Sequence, residues 1–284
     1  MIHKLKKFFA VSLAILTFIF SFNKLSADVI PDENFIIPKD NKNDVITEKN
    51  TSVDDIYART EVNRDGSKTA YFYKYPVKYI DQNGDICDVD TSIRNIVSKD
   101  SWTYASDKNS FELYYDENGR AKINISNNEI IIEPEYHNYS GGHFCQIKGS
   151  EINYYNLYEE DTILRYVSAS FGVEQEVVIT SGNASSSYEF LISGTGIDIV
   201  NPDTGYKIIF PDNNYINIGN VVAYDSSGHF SEGSIKIEKV KENSKYKILL
   251  SLDPSFFAQI RNNFSCCFRS GICSKFCRFF RVYI

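Results

Sequence analysis

Several groups of residues have types and spacings that could do chemistry. DQNGDICDVD (Asp81–Asp90) places side-chain oxygens at the first, third and fifth positions of a loop, as a calcium site begins. Such a loop needs glycine sixth and an acid twelfth, where this chain has Ile86 and Ser92. The flanks, Tyr75–Ile80 and Ile86–Val89, have strand character, so a hairpin turn fits better than a metal loop. Beyond the N-terminal leader the histidines are His137, His143 and His229. His137 and His143 flank Tyr139-Ser140-Gly141-Gly142, which will not hold both on one helical face, and no tighter His, Cys or carboxylate cluster suggests zinc. Cys145, two residues after His143, would share a strand face with it, the minimum for a thiol nucleophile and its base. Nothing else nearby in sequence orients the imidazole.

Other candidates are weaker. Ser193-Gly194-Thr195-Gly196 lacks the order of a nucleophile elbow and has no helix behind it, so it reads as a turn. Glu159-Glu160-Asp161 holds carboxylates, but glycoside hydrolysis needs two of them facing across a cleft, and a contiguous run suits a solvated loop. The 20 tyrosines and 20 phenylalanines could offer a sugar-stacking platform; their alternation within strands makes core and cross-strand pairing the simpler role. No residue is assigned as catalytic, cofactor-binding or metal-ligating, and no cofactor is implied.

The elements that would position these residues are short and β-rich. Ala70–Tyr75, Phe111–Tyr115, Ile130–Ile132, Glu176–Ile179, Tyr188–Ile192, Ile197–Val200, Ile235–Ile237 and Tyr246–Leu252 are dominated by Val, Ile, Tyr and Phe. Ser234–Glu238 alternates with period two. Phe256–Asn262 is the one candidate helix, too short to change the class. Asp81–Gly84, Asp116–Gly119, Pro202–Gly205 and Asp225–Gly228 each set an Asp or Pro before a glycine able to take positive φ, the chemistry of hairpin loops. Hairpins joined in this way build antiparallel sheets, and two packed sheets bury their inner faces most simply. The expected fold is all-β: an antiparallel, hairpin-rich, two-sheet sandwich.

At 284 residues and 43% hydrophobic the chain can bury a sizeable core. Met1–Lys7 is basic, Phe8–Phe22 is apolar and Leu25-Ser26-Ala27 ends in small residues, the pattern of a secretory signal peptide at 1–27. The apolar run is shorter than the ~20 residues of a membrane span, so no stable span is expected after cleavage. Loss of Lys4, Lys6, Lys7 and Lys24 takes the formal charge from −7 to −11, which disfavours nucleic acid as a partner. Residues 28–55 are polar and without period, a flexible lead. Only Cys87 and Cys145 lie between the leader and the last 20 residues. Two buried free thiols suit that scarcity better than a bridge, and the fold is expected to stand on its core.

Three blocks carry a family resemblance. Tyr75–Gly84 with Cys87-Asp88-Val89-Asp90, then Tyr154–Ile179, then Ala223–Ser231, in that order, resemble the N-terminal β region of large secreted or wall-associated Gram-positive proteins that bear Rhs/YD repeats or DNRLRE-type domains. The resemblance spans about Tyr57 to Phe264. Within the second block this chain keeps Tyr154, Asn156, Leu164, Arg165, Tyr166, Gly172 and Val173 and departs at Leu157, Ile163 and Glu174-Gln175; Cys87 stands where the family pattern carries tryptophan. The resemblance implies no catalytic role for these residues. Arg165 suits a strand-borne ion pair with Glu174 or Glu176, which at a surface would stabilise by ~0–1 kcal/mol.

The tail, SCCFRSGICSKFCRFFRVYI, departs from everything upstream. Four of the chain's six cysteines and three of its nine arginines fall in it, with no acid. Ser265–Cys273, written in one permitted set of codons and read one base later, becomes Pro-Val-Val-Phe-Asp-Pro-Glu-Phe, which continues the family pattern after Phe264. The expectation is therefore a frameshifted, Cys-rich basic tail at 265–284 on a truncated chain. The rival is a genuine cationic tail whose cysteines oxidise after export. Residues 56–264 form the β-sandwich region, with room for two packed subdomains dividing near 150. The chain then reads as a non-enzymatic secreted or cell-surface module, the scaffold or display region of a larger Rhs-type wall-associated protein. Its expected partners are downstream domains or a cell-wall polymer. The alternative is a module binding cell-wall or host glycans, and a hydrolase lacks a credible nucleophile, metal set or acid pair.

Overall fold

A computed structural model describes residues 45–46, 56–136, 142–181, 184–202, 205–225, 229–240, 244–259 and 281–283. The signal peptide at 1–27, nearly all of the 28–55 lead, His137 and the four tail cysteines lie outside the described residues. The chain falls into a small unit, residues 1–48 and 61–69, and a large one, residues 49–60 and 70–284. In the small unit β1 (Val45–Ile46) pairs antiparallel with the end of β2 (Ala58–Asn63), Val45 opposite Asn63. A turn closed by Asn63 N–H donating to Ser67 O at 2.8 Å leads into β3 (Lys68–Phe72).

The large unit opens with the hairpin β4 (Lys78–Ile80) and β5 (Ile86–Asp88). β6 (Arg94–Lys99), β7 (Trp102–Ser106), β8 (Glu112–Tyr115), β9 (Ala121–Ile125) and β10 (Asn128–Glu135) follow as a meander. β11 (Phe144–Lys148), β12 (Glu151–Tyr155), β13 (Thr162–Ala169) and β14 (Gly172–Ile179) form a second meander. β15 (Ser187–Gly194) returns to pair with β10. β16 (Asp198–Val200), β17 (Lys207–Ile209) and β18 (Tyr215–Ile218) rejoin the second meander's sheet, and β19 (Val222–Tyr224) with β20 (Phe230–Glu232) makes a separate hairpin. β21 (Ser234–Val240) and β22 (Lys245–Ser251) complete the first sheet, and β23 (Arg281–Tyr283) belongs to the second. The result is two eight-stranded antiparallel sheets, ordered β21-β22-β15-β10-β9-β8-β7-β6 and β11-β12-β13-β14-β23-β18-β17-β16.

The expected all-β antiparallel sandwich is what forms, and alternation explains it. Along β10, Ile130 and Ile132 are buried while Glu129, Ile131 and Glu133 point the other way; β22 buries Tyr246, Ile248 and Leu250 in the same manner. The core merges Leu113, Tyr115, Ile123 and Ile130 of the first sheet with Leu164, Tyr166, Val173 and Val177 of the second. Its largest members are tyrosines, and each hydroxyl has a partner across the sandwich. Tyr154 Oη donates to Asp116 O at 2.7 Å, Tyr166 Oη to Gly119 O at 2.9 Å, and Tyr115 Oη lies 3.1 Å from Ser168 Oγ.

The turns work as their sequences suggest. Asp116 Oδ1 accepts from the N–H groups of Asn118 and Arg120, both at 2.9 Å, and Gly119 takes φ 78°. Gly205 N–H donates to Pro202 O at 3.0 Å. Asp212 fastens a further turn in the same way, accepting from Asn214 N–H at 3.0 Å, without a glycine to announce it. The position near 150 falls in the β11–β12 hairpin, at Gly149, inside the large unit. The helix starts at residue 254 rather than 256, because Asp253 caps it by accepting from Ser255 and Phe256 N–H at 2.9 and 3.0 Å. Arg281–Tyr283 lies between two strands, with Val282 opposite Val173 of β14 and Ile218 of β18. Part of the tail thus closes the second sheet.

Candidate binding cleft

The residues singled out for chemistry are mostly fastened into turns. Asp81 Oδ1 accepts from Asn83 and Asp85 N–H, both at 2.9 Å, and Gly84 takes φ 85°, so DQNGD is the tip of the β4–β5 hairpin. Those hydrogen bonds hold the Asp81 carboxyl below the usual carboxylate range, the bond with Asp85 contributing most. Asp225 does likewise for the β19–β20 turn, accepting from His229 N–H at 3.0 Å while His229 Nδ1 sits 3.1 Å from Oδ2. His143 is exposed, and Cys145 turns to Tyr104, Sγ to Oη 3.1 Å, so the thiol is not matched to that imidazole. That contact, with burial second, pushes the Tyr104 phenol up to about 12. Cys87 and Cys145 are both free thiols, half-buried rather than buried. Glu159 accepts from Ser185 N–H at 2.6 Å and from Tyr188 Oη at 3.1 Å, a loop clamp rather than half of an acid pair. Gly194 is where a Cβ would come within 2.6 Å of Glu129 O, which explains a glycine at the end of β15. Among the described residues no group of three or more His, Cys, Asp or Glu is placed to share a metal ion.

What the structure does assemble is a polar cleft that none of those motifs announces. Register alone sets its floor: Asn124 of β9 stands opposite both Glu112 of β8 and Glu129 of β10. The β9–β10 turn adds Asn127, the β4–β5 hairpin adds Tyr79 from its first strand and Gln82 and Asn83 from its tip, and the β7–β8 connection adds Asp107 and Ser110. The cleft encloses about 630 Å³, within the ordinary range of small-ligand sites. Glu112 Oε2 accepts from Tyr114 Oη at 2.9 Å and from Asn124 Nδ2 at 3.3 Å; burial first, then this bond, pushes the Tyr114 phenol up to about 12. The other end of the same amide, Asn124 Oδ1, is buried with no protein partner. A second cleft, also about 630 Å³, adjoins it through shared Ser110 and Phe111 and is walled by Tyr57, Tyr75, Pro76 and Phe171. There the Tyr75 and Phe171 rings stack with centroids 4.0 Å apart, and Lys74 Nζ lies 5.1 Å from the Tyr75 centroid.

Amides and carboxylates beside aromatic rings suit a hydroxyl-rich ligand, since amides both donate and accept and rings pack against C–H faces. The one sequence signal for the polar half was the amide-rich stretch Asn124–Asn128, whose neighbours in space cannot be read from the chain. The molecule is therefore an all-β antiparallel sandwich with two adjoining clefts beside an exposed hairpin. No family model matches the chain, and neither a curated protein nor a solved structure matches it.

Proposed function

We propose that this chain is a non-enzymatic module of the secreted or cell-surface space, the scaffold or display region of a larger Rhs-type wall-associated protein. The observation that carries the reading is the structural use of the three resembling blocks. The first is the β4–β5 hairpin, the second includes β13 and β14, and the third is the β19–β20 hairpin. Their polar residues hold the fold: Asp81 and Asp225 fasten turns, Tyr166 ties the sheets together and Arg165 pairs with Glu176. Among the described residues no helix is long and apolar enough to cross a membrane. Cell fractionation with N-terminal sequencing tests the location; a mature chain beginning at Asp28 in the wall or medium is expected. Retention in the cytoplasm with Met1 intact overturns it. Resequencing across the Phe264 codon tests the truncation: a shifted base restoring Pro-Val-Val-x-Asp-Pro is expected, and a clean frame through Ile284 removes it.

A second reading, recognition of a cell-wall or host glycan, is favoured by the unpartnered Asn124 Oδ1 at the floor of the polar cleft. Retention of the protein by purified wall polysaccharide is its direct test, and passage through the matrix unretarded counts against it.

A further inference from the structure

We infer that the two clefts form one site for a neutral oligosaccharide, whose hydroxyls meet the Asn124 cleft and whose apolar face lies along the Tyr75–Phe171 cleft. The inference rests on the glycan reading and supplies its site and ligand class. Three observations carry it. A buried carbonyl oxygen without a partner is unfavourable, and Asn124 Oδ1, so placed, stands to gain from a ligand O–H or N–H donor. Glu112 fixes the orientation of that amide, because Oε2 accepts from Nδ2 and leaves the oxygen as the end without a partner. Around it, Gln82, Asn83 and Asn127 can each donate and accept, as adjacent sugar hydroxyls require.

Charge selects the class of sugar. The polar cleft holds Asp81, Asp107, Glu112 and Glu129 and no lysine or arginine, and the aromatic cleft adds the single cation Lys74, so the balance of charge disfavours phosphate- or carboxylate-bearing polymers. Of the four acids, Asp107 is paired to Arg94 and Glu129 to Lys122, 3.6 Å away, which leaves Asp81 and Glu112 without a cationic partner among the described residues. Ser110 and Phe111 line both clefts, so the polar and aromatic halves lie side by side within reach of one chain of several sugar units.

The test begins with the full chain on an array of neutral and anionic oligosaccharides, followed by calorimetry on the best neutral ligand and on its disaccharide. Binding to neutral glycans is expected, with acidic ones at least about tenfold weaker. Asn124→Ala is expected to lower affinity about tenfold, the worth of one hydrogen bond. Asn127→Trp, at an exposed position where folding is not at stake, should block both ligands while leaving the melting temperature unchanged. Tyr75→Ala should weaken the longer ligand and spare the disaccharide. Binding to no neutral glycan overturns the site and the glycan reading together. Neutral-glycan binding that survives both Asn124→Ala and Asn127→Trp overturns this site and leaves the reading standing, and a preference for acidic glycans overturns the ligand class.

Discussion

Arg165 and Glu176 face each other across β13 and β14, 3.3 Å apart and only 17% and 6% exposed. The surface pair expected of Arg165 is thus largely removed from water, with Asn153 Oδ1 accepting from Arg165 Nε at 2.7 Å and Tyr224 Oη donating to Glu176 at 3.4 Å. Removing one partner leaves a charge without its counterion. Glu176→Ala should cost about 3 kcal/mol, and the double variant Arg165→Met, Glu176→Leu should recover most of it in urea denaturation. A single-variant loss below about 1 kcal/mol would mean that solvent screens the pair after all. The core tyrosines give a pH dependence. Burial holds the Tyr115, Tyr154, Tyr158 and Tyr166 phenols above their ordinary value of 10. The native state therefore keeps protons that the unfolded chain releases. This contribution is whole below pH 10 and is lost as the pH rises through the native values. Ultraviolet titration should show these phenolates appearing in one cooperative step with loss of β-sheet signal. Smooth, independent ionisation while the sheet signal persists would refute it.

At the level of the element, two glycines separate backbone conformation from packing. Gly84 (φ 85°) and Gly119 (φ 78°) occupy equivalent turn positions, but a Cβ at Gly84 meets nothing within 4 Å, whereas one at Gly119 would sit 2.5 Å from Leu157 Cδ2. Gly84→Ala should cost about 1 kcal/mol for the left-handed backbone alone. Gly119→Ala should cost distinctly more, about 2–4 kcal/mol, because Leu157 is buried and must move. Equal melting shifts would show that the Leu157 contact relaxes freely. β23 poses the edge question. Ending the chain after Phe264 removes Arg281–Tyr283 and leaves Gly172–Glu174 and Asn217–Ile218 with unpaired backbone groups. Sedimentation should then show concentration-dependent association, as exposed strand edges invite. A monomer with unchanged melting would show that β14 and β18 do not need the tail.

At the scale of the molecule, the large unit has one core shared by both sheets, and Cys87 and Cys145, the cysteines among the described residues, are free. Its melting should accordingly be unmoved by substituting both with serine or alanine, beyond the small cost of the lost Tyr104–Cys145 contact. Much of this architecture was legible beforehand. Val, Ile, Tyr and Phe in alternation marked the strands, and Asp-x-Asn-Gly marked the hairpins at Asp81 and Asp116. The turn at Asp212 was missed because Asn213, not glycine, takes the left-handed position at φ 65°. The cleft was not legible beyond the amide-rich stretch Asn124–Asn128. Asn124 and Glu112 are separated by a hairpin whose register decides that they meet, and Gln82 reaches them from a different hairpin.

By itself the sequence determined what local physics controls: the period of the side chains, the turns that reverse the chain and the acidic balance. Those depend on neighbours a few residues away. The tertiary structure alone decided the strand order in the two sheets, which glutamate Arg165 would meet, that the Asn124 amide oxygen would be left without a partner, and that Arg281–Tyr283 would sit between β14 and β18. Each of those outcomes joins residues far apart in the chain, where the contacts follow from how whole sheets bury their faces and no local pattern specifies them.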